Sequence, residues 1–317
     1  MIRTKSSLPA LLALPLAACS VLAHAATEWG TVECSTTHVT AHNPGLARVS
    51  DTLLCFEGYL SNFDTAKNRD EDHPPRGVPY WIAHRVKKTR SSPESRARPR
   101  AWFTLPDLAR DGLAPTDDSY KFSKKFRDKH ANWYERGHLA QKYLAERLGE
   151  SAGWFTHNVA NAVPQKGQFN KTAWLSLECL TGAWANQYGE VWVVTGPIFV
   201  NGKPTRWLKS DNHKKALAVA IPDSLFKIVV RKAKDDAWEV LAFIYPQEHD
   251  AYRQPKPWDE ATYLTSVAQI EKLTEEQFFV GRADKTTPPK SKASKRVWPV
   301  KKESYDTGCK PMAKDIA

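Results

Sequence analysis

The chain has 317 residues, of which 41% are hydrophobic, 11% aromatic and 26% charged. This composition excludes an intrinsically disordered chain and is sufficient for one sizeable core or two small ones. The formal net charge of +11 favours polyanionic partners, either nucleic acid or an anionic membrane surface.

Residues 1–25 have the pattern of a secretory signal peptide. A cationic start is followed by an apolar run from Leu8 to Ala18 and by a small-x-small cleavage site at residues 23–25. The run is shorter than the roughly 20 residues of a membrane-spanning helix, so we expect no stable membrane insertion. The sequence LAAC, which ends at Cys19, resembles a bacterial lipobox and leaves a lipoprotein as the alternative. Both routes predict a secreted or periplasmic protein.

Four further cysteines are present, Cys34, Cys55, Cys179 and Cys309. An even number in an oxidising compartment predicts two disulfides, and four cysteines allow three connectivities. The short local loop favours Cys34–Cys55, which leaves Cys179–Cys309 by elimination. No C-x-x-C spacing occurs, so a structural zinc site is not expected.

Strand-like and helix-like segments alternate along the rest of the chain. Runs rich in aromatic and β-branched residues predict strands, and helical spacing of apolar residues predicts helices. The predicted strands are 49–64, 78–88, 190–200 (ending in a Gly-Pro turn), 215–232 and 238–247, and the predicted helices are 170–189 (stopped by Gly189) and 262–279. This order indicates one α+β domain over residues 26–282, followed by a basic tail at 283–317.

Two basic segments, residues 85–100 and 121–130, precede the sequence YERGHLA (134–140). Such charge runs are most often solvated loops. Their position beside a candidate site leaves a phosphate-contacting surface as the alternative.

Hydrolysis of a negatively charged substrate requires a base for water and neutralisation of the charge. An imidazole with a pKa near 6.5 suits the base, which makes His138 the candidate, and Gly137 before it is expected to give the backbone freedom to aim the ring. Asn170 offers a hard oxygen ligand suited to Mg²⁺. Glu178 lies eight positions later, about 80° around a helix, close enough to hold the waters of the metal.

The motifs resemble those of the DNA/RNA non-specific endonucleases, which carry a ββα-metal (His-Me finger) site. The matching stretches are ERGH (135–138), NAVPQ (161–165), Asn170 and WLSLE (174–178), and the resemblance runs from about Cys55 to Phe279. It implies a mainly antiparallel α+β fold, an endonuclease that acts on DNA and RNA, and Mg²⁺ as cofactor, with Mn²⁺ as the alternative. A homodimer occurs in some relatives.

The resemblance also assigns roles to residues of this chain. His138 becomes the general base, Asn170 the single direct metal ligand, and Glu178 a ligand through water. Arg136 and Arg100 become phosphate contacts. Asn161 would support the loop or the metal shell, and the carbonyl of His157 would orient the base.

Two positions depart from the family pattern. Glu135 stands where the family has Asp, and Gly182 stands where secreted relatives often carry an arginine. These changes leave open an alternative reading, a catalytically weakened or inactive nucleic-acid-binding protein of the same fold.

Overall fold

A seven-stranded antiparallel sheet forms the centre of the molecule, in the strand order β1-β2-β3-β6-β9-β10-β11. The computed structural model describes residues 27–65, 74–130, 132–233, 237–248, 252, 259–280 and 290–308. Two short ribbons, β4-β5 and β7-β8, stand apart from this sheet. The strands are β1 (Thr52–Phe56), β2 (Tyr59–Phe63), β3 (Pro79–Lys87), β4 (Tyr134–His138), β5 (Ala162–Lys166), β6 (Glu190–Ile198), β7 (Trp207–Leu208), β8 (Val219–Ala220), β9 (Ser224–Lys232), β10 (Trp238–Pro246) and β11 (Leu264–Thr265).

Helices cover both faces of the large sheet. They are α1 (Thr36–His42), α2 (Pro106–Arg110), α3 (Lys124–Lys129), α4 (Lys142–Ala145), α5 (Glu150–Trp154), α6 (Gly167–Phe169), α7 (Leu175–Tyr188), α8 (Val267–Thr274) and α9 (Lys302–Gly308). Short 3₁₀ turns occupy Asp117–Tyr120, Val159–Asn161, Val200–Gly202 and Glu260–Tyr263. The predicted α+β class with a mainly antiparallel sheet is confirmed.

Side chains alternate between the two faces of the sheet along each strand, so the interior is divided into two cores. Val193 and Val229 belong to the core that contains α7, whereas Val194 and Ile228 belong to the core that contains α8. Because both faces are covered, the central strand β6 is buried at every position after the first, and its sequence is a nearly continuous apolar run.

The predicted helix at 170–189 is confirmed as part of a longer helical run. A π-helical stretch, Asn170–Trp174, connects α6 to α7, so the chain is helical from Gly167 to Tyr188. Gly189 ends the run with a φ of 99°, which a residue with a side chain rarely adopts. π-Helical turns inside α-helices often mark functional positions, and here the turn begins at Asn170.

Two sequence-based assignments were wrong in detail. Gly196 and Pro197 do not form a turn; both continue β6, paired with Phe226 and Leu225 of β9. Proline is tolerated because β3 pairs with β6 only as far as Thr195. The predicted helix at 262–279 is shorter, since α8 begins after the Ser266 cap and ends before Glu275, which has a φ of 61°.

A disulfide near the start of the described chain and an aromatic contact near its end attach these two segments to the rest of the fold. The Cys34–Cys55 disulfide is confirmed and joins the segment before α1 to β1. Cys179 is also disulfide-bonded, and its expected partner Cys309 lies outside the described residues. Trp298 packs against Trp184 of α7, whose indole N–H donates to the Trp298 carbonyl over 3.0 Å.

The signal-peptide segment and Cys19 also lie outside the described residues. None of the helices in the described part of the chain has the length and hydropathy needed to span a bilayer.

Candidate active site

The Arg-Gly-His sequence lies on strand β4 of the two-stranded ribbon β4-β5. Gly137 pairs with Val163 and His138 with Ala162 in an antiparallel register. Because neighbouring side chains on a strand point to opposite faces, Arg136 and His138 share one face, while Glu135 and Gly137 share the other.

The His138 ring is enclosed by aromatic groups. Its centroid is 4.5 Å from that of Trp102 and 4.9 Å from that of His157. Its Nε2 atom is buried and has no hydrogen-bond partner among the described residues. Burial, followed by the neighbouring His157, Arg98 and Arg136, lowers the pKa of His138 well below 6.5. The ring is therefore neutral at neutral pH.

His157 contributes its ring to the site in addition to its backbone. Its Nδ1 atom lies 3.1 Å from the Trp154 carbonyl, and burial lowers its pKa to about 4. Its carbonyl accepts a 2.7 Å bond from the Phe103 N–H, because the extended segment around Phe103 lies along residues 157–159. A carbonyl oxygen has a second lone pair, so its expected role in orienting the base stays a prediction.

Arg136 is held by an acid that the sequence motif does not contain. Its guanidinium donates to the carboxylate of the buried Asp117, which also accepts a 3.0 Å bond from the Trp102 N–H. The Arg136 side chain remains 29% exposed and lies 5.4 Å from the Trp102 ring centroid. It is thus oriented by Asp117 and still open to an incoming anion.

Gly137 is required for space, not for backbone freedom. Its φ is not positive, so the expected conformational role was wrong. A Cβ atom built at Gly137 would lie 1.9 Å from Oε1 of Gln165, which is fully buried across the ribbon. A side chain at this position would displace Gln165 from the strand that carries the motif.

On the other face of the ribbon, Glu135 reaches the candidate metal ligand. Its Oε2 atom accepts a 3.1 Å bond from Nδ2 of Asn170, and its Oε1 accepts a 2.5 Å bond from Nζ of Lys171. The longer side chain at this position therefore contacts the π-helical turn directly. Since the Asn170 amide nitrogen faces Glu135, its oxygen is the atom left for a cation.

Glu178 is a buried carboxylate, 4% exposed, one helical turn beyond Trp174. Burial raises its pKa, an effect that the charges of Lys227 and Arg98 oppose. The nearby Trp174 and Gln141 side chains also lower its pKa, while the Trp174 indole N–H donates to the His138 carbonyl at 3.3 Å. Lys227 is itself 1% exposed, and its Nζ lies 4.3 Å from the Trp174 ring centroid. Burial lowers the pKa of Lys227, and the Glu178 charge opposes this.

Asn161 is fully buried and all its polar atoms are used by the backbone. Its amide accepts from the Ala140 N–H and donates to the carbonyls of Ala140 and Thr156, at 2.8 to 2.9 Å. These bonds shape the loop that follows His138. Of the two roles expected from the sequence, the geometry favours support of the loop, which makes Asn161 a positioning residue.

Two arginines precede Trp102, the predicted Arg100 and also Arg98, and they differ in their electrostatic effect on the site. Arg100 is exposed, and within the described ranges it makes no hydrogen bond or ion pair with the other site residues. Arg98, two positions earlier, is exposed as well, but its charge lowers the pKa of His138, His157 and Glu178. Arg98 is therefore the arginine of this segment that the structure brings to these three groups.

The sequence motifs did not indicate several residues that complete the site. Asp117, Arg98 and Lys227 come from other parts of the chain, and no local pattern predicts their contacts. Gln141 lies three residues after His138, and Trp102 lies two residues after the candidate Arg100, so both are close in sequence to predicted site residues. The residues added by the structure are Arg98, Trp102, Asp117, Gln141 and Lys227.

The donors suit a hard cation better than a transition metal. Within the described ranges, no group of three or more His, Cys, Asp or Glu side chains is arranged to hold a metal ion. A cation here would depend on the Asn170 amide oxygen and on water, with the Glu178 carboxylate nearby. Oxygen ligands and retained waters are what Mg²⁺ prefers, so the residues present fit this ion.

A two-stranded ribbon followed by a helical run, with histidine on the ribbon and asparagine on the helix, is the arrangement of the ββα-metal nucleases. The chain belongs to the DNA/RNA non-specific endonuclease family, whose model matches residues 40–285.

Curated relatives of the chain are nucleases from several organisms. It is 29% identical to a mitochondrial nuclease of Saccharomyces cerevisiae over 54% of this chain and 52% of that protein. It is 28% identical to human mitochondrial endonuclease G over 46% and 48%, and 28% identical to a Serratia marcescens nuclease over 64% and 69%. The chain thus spans about half the length of the mitochondrial relatives.

Among solved structures, the chain is similar to one from the crystal structure of an EndoG/EndoGI complex, which addresses EndoG inhibition. The TM-score is 0.55 at 18% identity, and the match covers 78% of this chain and 93% of that one. At this identity the likeness supports the fold alone.

Proposed function

We propose that this chain is a Mg²⁺-dependent endonuclease that hydrolyses DNA and RNA, with His138 as the general base. The buried Nε2 atom of His138, which has no partner among the described residues, carries this proposal. A buried polar atom without a partner is costly in a folded protein and is common where a reactant binds. A substrate or a water molecule would supply the missing contact.

The state of the imidazole suits proton abstraction. Because burial and nearby cations keep the ring neutral, it accepts a proton from water at neutral pH. Arg136, oriented by Asp117, binds and neutralises the phosphate. The family resemblance assigns a second phosphate contact to the exposed Arg100, and Arg98 adds positive charge near His138. Contacts to phosphates carry no base information, which accounts for cleavage without sequence preference.

Asn170 would hold the metal through its amide oxygen, and Glu178 would hold metal-bound water. The bound ion would neutralise charge on the phosphate and stabilise the leaving oxygen. Glu135 keeps the Asn170 amide turned so that its oxygen is available. Mn²⁺ also prefers oxygen ligands and is the alternative cofactor.

Cleavage assays test the proposal directly. Purified protein is incubated with plasmid DNA and with RNA, in Mg²⁺ or in EDTA, and compared with a His138→Ala variant. The matched control is His38→Ala, because His38 lies on α1, which packs on the opposite face of the sheet. We expect cleavage of both substrates in Mg²⁺, none in EDTA, and loss of activity in H138A alone.

The same experiment distinguishes the rival function. A protein that retains DNA in a salt-sensitive manner but cleaves it at no Mg²⁺ concentration is the inactive binding protein. An H138A variant as active as the wild type would refute the general-base assignment.

We also propose that the protein is exported, on the basis of the signal-like residues 1–25 and the Cys34–Cys55 disulfide, which persists in oxidising compartments. Several relatives carry mitochondrial names, so organelle import is the competing destination. Mass spectrometry of the mature protein discriminates these cases, since signal cleavage leaves Ala26 first and lipidation leaves a modified Cys19. Light scattering tests the possible homodimer.

A further inference from the structure

An open groove of about 490 Å³ lies beside the candidate active site. We call it the Trp133 groove, and its lining includes Tyr120, Phe122, Arg127, Trp133, Arg136 and His213. Its volume falls within the range of about 300–1,000 Å³ that is typical of small-molecule sites. Arg136 belongs to both the groove and the candidate active site. A polymeric ligand bound in the groove would therefore extend into the active site.

The groove walls are aromatic and firmly packed. Tyr120 and Phe122 are each 8% exposed, and Trp133 is half-buried. The Trp133 ring meets Phe126 and Tyr134 edge-on, with centroids 4.9 and 5.1 Å apart. Rigid aromatic walls of this kind suit a flat, partly apolar ligand such as a nucleobase.

Two polar atoms in this lining have no partner in the described part of the chain. They are the Tyr120 hydroxyl and the Trp133 indole nitrogen, both of which are buried. Most buried polar atoms in native proteins are hydrogen-bonded, so unpaired donors in a groove point to a polar ligand.

Among the described residues, the charged side chains that line the groove are paired, with the exception of Arg127, and the carboxylate of the lining residue Glu135 pairs with Lys171. Lys121 pairs with Asp117 and Asp118, and His213 lies 3.5 Å from Asp118. Arg136 pairs with Asp117. Arg127 is exposed, and the described residues offer it no ion pair, so its full charge is available to a phosphate.

We propose that the Trp133 groove binds one nucleotide of an unpaired strand next to the scissile phosphate, with its base between the aromatic walls and Arg127 on a flanking phosphate. The inference rests on the proposed function and deepens it, because it names the substrate class. A base can enter such a groove only after leaving the duplex stack. The groove therefore favours single-stranded or locally unpaired nucleic acid over intact duplex.

Fluorescence anisotropy in EDTA tests the groove without relying on cleavage. The probes are one labelled single-stranded oligonucleotide and the same strand in a duplex. The variants are Tyr120→Phe, which removes only the hydroxyl, and Arg127→Gln, with Arg48→Gln as the charge-matched control beside Ala47 in the opposite core. Urea unfolding confirms that each variant is folded.

We expect Y120F to raise the Kd for the single strand about threefold, as for one lost hydrogen bond, and to leave the duplex Kd unchanged. R127Q should make the slope of log K against log salt shallower by about 0.7, the value for one phosphate contact on a single strand. R48Q should change neither. Equal losses for single strand and duplex, or wild-type binding in Y120F and R127Q, would overturn the inference.

Failure of the groove is distinguishable from failure of the nuclease proposal. A wild-type protein that cleaves plasmid while Y120F and R127Q bind normally refutes the groove alone. A protein that shows the expected binding pattern but never cleaves refutes the nuclease proposal and leaves the groove in place.

Discussion

Replacing Glu135 with glutamine tests whether this carboxylate positions the metal ligand. In the structure it accepts hydrogen bonds from Asn170 and from Lys171. Glutamine keeps the size of the side chain but loses the charge. It can also turn an N–H toward Asn170, where two donors would then face each other. We expect the Asn170 amide to lose its preferred orientation and the affinity for Mg²⁺ to fall.

The magnitude follows from the hydrogen bonds and the exposure. Hydrogen bonds to charged groups contribute about 1.5–3 kcal/mol. The Glu135 side chain is 38% exposed, so solvent screening reduces the effect to about 1 kcal/mol. This corresponds to roughly a fivefold rise in the Mg²⁺ concentration that gives half-maximal cleavage.

The assay is a Mg²⁺ titration of plasmid cleavage under single-turnover conditions. Lys171→Gln is the matched control, because it removes the other partner of Glu135 and leaves the bond to Asn170. Lys171 is 67% exposed, so the control should shift the midpoint less than about twofold. Identical midpoints for E135Q, K171Q and the wild type would refute the positioning role of Glu135.

Three further outcomes are expected. Gly137→Ala should lower the free energy of unfolding in urea by about 1–3 kcal/mol, because the added Cβ would contact Gln165. The loss should be smaller in a Gln165→Ala background, and additive effects of the two substitutions would contradict this explanation. The cleavage rate should begin to fall only well below pH 6.5, because His138 stays neutral until the pH reaches its lowered pKa. A fall in the rate at pH 6.5 or above would contradict the burial argument. Trp298→Ala should lower the thermal midpoint, because it removes an aromatic contact with Trp184 on the helix that carries Glu178, and an unchanged midpoint would show that this contact is dispensable.

Local sequence was sufficient for features that depend on near neighbours. The β-branched runs became strands, Gly189 ended the helix, and Cys34 paired with Cys55 across a short loop. One assignment that failed depended on a partner strand. Gly196 and Pro197 were read as a turn, yet the continuation of β9 beside them extends the strand.

The chemistry of the site was only partly visible in the motif. His138, Asn170 and Glu178 could be singled out because their residue types and spacing match a reaction. The state of each group depends on residues far away in the chain. Asp117 orients Arg136 from 19 positions earlier, which no short pattern records.

Tertiary packing also changed the reason for the glycine within the ERGH sequence. Gly137 is needed because Gln165 of the paired strand occupies the space of a side chain, and this can be known only from the register of β4 against β5. The pKa of His138 is likewise a property of its enclosure, since desolvation acts only after distant segments have closed around the ring. The sequence by itself determined which groups could act; packing determined how they are held and in which protonation state.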